Sequence, residues 1–200
     1  MLFRSVTSFT VGTVLDIAGN QLTSTTLPTG TNNIAGAKDI VVDGIAPTIA
    51  SFTSTTANGN YKAGSAINIT ATTSEAVQGG GTITATLNTG ATVTLTRATA
   101  TTLTGTYTVA AGQNTSDLTV TSFTTGTVLD LAGNPLASTT LPTGTSNIAG
   151  SKDILIDTVA PTITSFSSTT ANGNYKAGDS INITATTSED VRAEIGRAHV

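Results

Sequence analysis

The sequence has no cysteine and no tryptophan, a single histidine and a single methionine. Without Cys, disulfides and thiolate metal sites are excluded outright. Charged residues make up only 10% of the 200 positions, less than half the share of an ordinary soluble domain. The net charge is −4 with a pI near 4.6. Lys and Arg nowhere gather into a patch that could hold a phosphate backbone, so no nucleic-acid partner is expected. No apolar run reaches the length of a bilayer span, so no membrane insertion is expected in this stretch. No signal peptide is visible at the N-terminus.

Threonine takes the place of the missing charge, with 46 of the 200 residues. Thr is β-branched and polar, so it favours extended backbone and still faces water readily. A Thr-rich chain can also be a disordered, glycosylated stalk. Ile, Val and Leu spaced regularly between the Thr residues argue against that, because they supply a core.

The two ends differ from everything between them. Residues 1–5 read MLFRS and residues 194–200 read EIGRAHV. Both resemble translations of a synthetic sequencing adapter, one on each strand, and are set aside from fold reasoning as adapter-like scars. His199 falls in the second, which leaves no histidine elsewhere.

The main signal is internal. Residues 8–77 align without gaps onto 122–191, an offset of 114 positions, and 15 of the 70 aligned pairs differ. SFTVGTVLDIAGNQL matches SFTTGTVLDLAGNPL, and ANGNYKAGSAINITATTSEAV matches ANGNYKAGDSINITATTSEDV. A period this long predicts one whole domain per copy, since solenoid coils repeat at 20–50 residues. The chain divides into the C-terminal part of an upstream module (6–43), a complete module (44–157) and the N-terminal part of a downstream one (158–193). The joints read VVDGIAPT and ILIDTVAPT. Pro47 and Pro161 restrict the backbone there, and the short joints predict modules set end to end.

Inside the complete module apolar and Thr residues alternate with period 2. The pattern predicts strands over 48–53, 66–72, 82–88, 91–97, 102–109, 117–123 and 152–157, with no helix of useful length. Seven short strands with one aliphatic face and one Thr face predict an all-β fold, an immunoglobulin-like β-sandwich.

The segments TSTTANGNYKAGSAINITATTSEAV, GTYTVAAGQNTSDL, GTVLDLAGNPL and KDILIDTVAPT resemble the bacterial immunoglobulin-like tandem repeats of large surface and secreted adhesins. The resemblance covers 6–193. It implies a sandwich fold, an extracellular or cell-surface location, and a role as spacer or adhesive stalk.

Candidate chemistry is sparse. Activating a Ser or Thr nucleophile needs a base, and Lys38, Lys62, Lys152 and Lys176 do not converge with one, so no enzyme activity is expected. The D-x-A-G-N segments, Asp16–Asn20 and Asp130–Asn134, predict turns in which Gly and Asn take positive φ and Asp caps its own backbone. The alternative is a calcium loop supplying oxygens from Asp130 and Asn134. The acids at the joints, Asp43 and Asp157, with Glu75 and Glu189, are candidates to meet at module junctions, where calcium would stiffen the array. No other cofactor is expected. Tyr61 and Tyr175 in NGNYKAG read either as ligand-stacking rings or as anchors of their own loops. The Thr faces read as solvent faces, with an ice- or sugar-binding surface as the alternative.

The functional expectation is a non-enzymatic stalk whose partners are the neighbouring modules of the same chain. The alternatives are a module that binds a glycan or a host-surface protein, and a passive spacer in a secreted hydrolase.

Overall fold

The computed structural model describes residues 6–192. The adapter-like ends, His199 included, lie outside the described residues. The chain is all-β, built mostly from antiparallel strands, with helical turns of no more than four residues among the described residues.

Eight strands fall within 44–157. They are β1 (Ile49–Thr53), β2 (Gly59–Tyr61), β3 (Ala66–Thr73), β4 (Thr82–Leu87), β5 (Thr92–Arg97), β6 (Thr102–Thr108), β7 (Val120–Phe123) and β8 (Ile154–Ile156). Six form one antiparallel sheet in the order β1-β3-β6-β5-β4-β7, and β2 pairs with β8 in parallel. The alternation read from sequence sets which face is buried. Ile67, Ile69 and Ala71 of β3 point inward with Ile83, Ala85 and Leu87 of β4, Val93 and Leu95 of β5, and Leu103 of β6. The other face is a ladder of facing Thr pairs: Thr70↔Thr104, Thr96↔Thr104, Thr82↔Thr96, Thr84↔Thr94. Facing Thr pairs each contribute roughly 0.2–1 kcal/mol to strand pairing, which lets this face do without salt bridges.

The first and last strands of the six-strand order meet across the core. The rings of Phe52 on β1 and Phe123 on β7 are 5.4 Å apart, edge to face at 61°. The sheet is therefore folded over on its apolar side. Gly105 in β6 has a packing reason: a Cβ there would lie 2.4 Å from the Thr94 carbonyl oxygen of β5.

Three features depart from the sequence reading, one being that the strand expected over 117–123 begins only at Val120. β2 was not expected, because GNY carries no alternation; it is a strand only because β8 lies beside it. The closing strand was expected from Lys152 and begins instead at Ile154. A helical turn, Ile148–Ser151, occupies the preceding residues, capped by the Asn147 side chain on the Ile148 N–H and closed by the Lys152 N–H on the Ile148 carbonyl.

The flanks show what the same sequence does without its partners. Downstream, β9 (Ile163–Ser167) pairs with β10 (Thr184–Thr187) much as β1 pairs with β3. Residues 173–175, identical to β2, form no strand. Upstream, 6–43 holds a helical turn, Ile34–Ala37, and one isolated bridge, Leu15↔Gln21, but no strand. Ile69 is 0% exposed and its counterpart Ile183 is 68% exposed. Propensity is equal in the two copies, so the missing tertiary neighbours decide.

Candidate functional site

The chain enters the complete module at the end where β3 finishes. Past Thr73, the Ser74 N–H donates to the Thr48 carbonyl and the Thr48 N–H to the Ser74 hydroxyl. Val77 bridges to Asp130, and the Gln78 N–H donates to the Leu129 carbonyl. These contacts hold the loop after β3 against the D-x-A-G-N turn. In that turn Gly133 has φ 95°, and Asn134 does not have the positive φ expected of it.

Asp130 is buried, and both its carboxylate oxygens accept from Asn134. Oδ1 takes the backbone N–H at 2.7 Å and Oδ2 the side-chain amide at 2.7 Å. That amide nitrogen also donates to the Asp43 carbonyl at 3.0 Å. Asn134 thus presents N–H groups to the junction and ties the incoming chain to the turn. Burial opposes ionisation of Asp130, but the hydrogen bonds from Asn134, Gly133 and Ala132 outweigh it and hold the carboxyl below its ordinary value. In the upstream copy Asn20 does the same for Asp16.

Asp43, Glu75 and Asp130 converge. One carboxylate oxygen from each lies within 4.8 Å of the other two. Burial, followed by the charges of Asp43 and Asp130, pushes the Glu75 carboxyl above its ordinary value. Oxygens sharing one calcium at 2.3–2.6 Å lie at most about 5 Å apart, so the spacing suits a hard cation. The three acids are 87 residues apart at the extremes of sequence, and only closure of the fold joins them. The sequence reading had Asp130 in a separate loop.

Asp157 and Glu189 sit at the opposite end. The Asp157 N–H donates to the Tyr61 carbonyl just before β3 begins. Both acids line an open cleft of about 410 Å³ with Tyr61, Lys62 and Asp190. One oxygen of Glu189 is buried with no hydrogen-bond partner. The Tyr61 hydroxyl donates to the Ala57 carbonyl at 2.7 Å and its ring packs on the core, and the Tyr175 hydroxyl bonds Ala171. Both rings anchor their own loops.

Two polar devices escaped the sequence reading. Thr158, where the first joint has Gly44, donates its N–H to Asn114 Oδ1 at 2.7 Å and accepts the Gly112 N–H at 3.0 Å. Asn147 is buried against β7, with Oδ1 on the Val120 N–H and Nδ2 on the Val120 carbonyl. An Asn directly before Ile at a helix start was its only sequence signal. The sequence matches no family model, no curated protein and no solved structure, so the functional reading rests on this geometry. No helix among the described residues is long and apolar enough to cross a membrane.

Proposed function

We propose that the chain is a length of non-enzymatic stalk, a series of immunoglobulin-like β-sandwiches of about 114 residues in a large surface or secreted protein of the bacterial adhesin type. Its function is mechanical: it sets distance and stiffness, and its main partners are the neighbouring modules. The observation that carries the reading is where the chain enters and leaves. Asp43 comes in beside Glu75, past the end of β3, and Asp157 goes out beside Tyr61, before its start. Eight residues of strand separate those points by about 25 Å at ~3.3 Å per residue. Modules joined this way run in series and do not fold back.

Support for the sandwich comes from the single antiparallel sheet β1-β3-β6-β5-β4-β7, whose end strands meet through Phe52 and Phe123, and from β8 hydrogen-bonded to 115–118. The short joint, fixed through Thr158 and Asn114, supports limited bending. The acid cluster at the first joint adds a candidate calcium site for which Asp43, Glu75 and Asp130 supply the charge.

Small-angle scattering from arrays of two, four and six copies of 44–157 tests the reading. The maximum dimension should grow by a constant step of at least about 25 Å per copy. A dimension that levels off with copy number rejects a stalk. Antibody staining of intact source cells tests the location.

A further inference from the structure

Asn58 and Gly59 form the one Asn-Gly pair of the complete module. An asparagine rearranges when the backbone nitrogen of the next residue attacks its side-chain amide, and the next residue's own side chain stands in the way. The other asparagines of 44–157 are followed by Tyr, Ile, Thr, Thr, Pro and Ile. The β-branched residues crowd the nitrogen, and Pro135 has no N–H to give up. Gly59 offers no such obstacle, and beyond its chain neighbours no heavy atom lies within 4 Å of where a Cβ would stand. The backbone keeps the glycine there, with φ at 153°, a value that residues with a Cβ rarely adopt.

Asp153, the residue before β8, holds both reacting groups. The Gly59 N–H donates to its carbonyl at 2.9 Å, and the Asn58 amide nitrogen donates to its carboxylate at 3.3 Å. The grip lasts only while β2 lies beside β8. That pairing spans three residues, Gly59↔Ile154 to Tyr61↔Ile156, and Asn58, Gly59 and Asn60 are all exposed. A pairing this short, with no buried side chain on β2, belongs to the part of a fold that opens locally while the core stays closed.

We propose that Asn58 is a deamidation site gated by the pairing of β2 with β8. When the pair opens, the Gly59 nitrogen gives up its proton and attacks Asn58 Cγ. The new N–Cγ bond closes a succinimide ring, the Cγ–Nδ2 bond breaks, and the amide leaves as ammonia with the proton that Gly59 lost. Water then opens the ring at Cγ to give aspartate, or at the backbone carbonyl of residue 58 to give isoaspartate. Either product puts a carboxylate where an amide had donated to Asp153, and isoaspartate also lengthens the backbone just before β2. Like charges facing each other across a strand pair oppose it, so the product weakens the pairing that had protected its precursor. The complete module thus carries a one-way chemical record of how often β2 has left β8. This holds whatever the role of the longer protein.

Incubation of the full chain in mildly alkaline buffer, folded and in urea, with peptide mass spectrometry tests it. Peptides carrying Asn58 contain Thr53, and those carrying the same motif at Asn172 contain Ser167 instead, which tells the two apart. Conversion of Asn58 should be at least about 10-fold slower in the folded chain than in urea. The slowing should match the protection of the Gly59 amide against hydrogen exchange, since one opening exposes both. Asn58→Asp, which is one of the products, should speed exchange of the Gly59 and Asp157 amides about 3-fold, and Asp153→Asn added to it should restore them. Unchanged protection of the Ile69 amide in these variants verifies folding of the core. Conversion in the folded chain at the urea rate, a slowing that departs from Gly59 protection, or a loss in Asn58→Asp that Asp153→Asn leaves in place overturns the proposal.

Discussion

Replacing Asn147 by Ala should remove a large part of the stability of the 44–157 module. The residue is 7% exposed and makes four bonds. Its Oδ1 accepts from the N–H groups of Val120 (3.2 Å) and Ile148 (2.7 Å), and its Nδ2 donates to the carbonyls of Val120 (2.9 Å) and Pro142 (3.2 Å). Alanine strands both backbone groups of Val120 in the interior, at roughly 1 kcal/mol or more each. Loss of the cap on Ile148 adds about 1 kcal/mol. The total of about 3–4 kcal/mol is a sizeable fraction of the ~5–15 kcal/mol that holds a domain folded. It corresponds to a fall in melting temperature of roughly 15 °C. Asn33 supplies the internal control. It makes the same bonds to Val6, Pro28 and Ile34 in the upstream flank, where no closed core depends on them. Asn33→Ala should move the main transition by less than about 0.5 kcal/mol. Urea unfolding of the full chain, followed by circular dichroism, reads both, with an unchanged m-value marking an effect on stability alone. An Asn147→Ala loss below about 1 kcal/mol, or an equal loss from Asn33→Ala, refutes the reasoning.

Phe52→Ala should cost about 3–5 kcal/mol and Phe166→Ala under about 0.5 kcal/mol, although the two sit in near-identical sequence; calorimetry of the full chain compares them. The pH dependence has a definite sign. The Glu75 carboxyl is held above its ordinary value by burial, Asp43 and Asp130, so it favours folding when protonated and that contribution is lost as pH rises through its folded value. In chelated buffer Glu75→Gln should therefore melt above the wild type at pH 7, with the gap closing near pH 4, about the ordinary Glu value; a wild type more stable at pH 7 contradicts this. Asp130 acts the other way, since its lowered value gives stability at neutral pH that is lost on acidification through that value, and Asp130→Asn should flatten the acid limb of the melting curve. Calcium at about 10 mM, above the weak extracellular range, should raise the wild-type melting temperature and leave Glu75→Gln and Asp130→Asn unmoved; no wild-type shift removes the cation reading of the junction.

Alternation made most of the sheet readable. Ile67, Ile69, Ile83, Leu87, Val93, Leu95 and Leu103 all turn inward as their period-2 spacing predicts. What stayed hidden has a common cause: it depends on residues far along the chain. GNY becomes a strand beside Ile154–Ile156, and the same GNY at 173–175 does not. The helical turn after Asn147 is too short for any periodic signal. At the junction, the acids Asp43 and Glu75 were legible as joint residues, but Asp130 reaches them only when the fold closes. The hydrogen bonds of Asn134 that turn its amide nitrogen toward Asp43 are a matter of geometry that spacing cannot express. The Thr158 contact to Asn114 joins residues 44 positions apart, which spacing along the chain cannot express.

The most direct measurement is amide hydrogen exchange, resolved by residue on the full chain at low concentration, where intermolecular contacts are sparse. The segments 66–73 and 180–187 carry almost the same residues, yet the first lies between β1 and β6 in a closed core and the second pairs with β9 alone. Amides of 66–73 should exchange only through global unfolding of the module, together with those of β4, β5 and β6, and amides of 180–187 should exchange orders of magnitude faster through local opening. Equal protection of the two segments, or protection within 44–157 that does not rise and fall as one unit, would contradict a single self-contained body over 44–157.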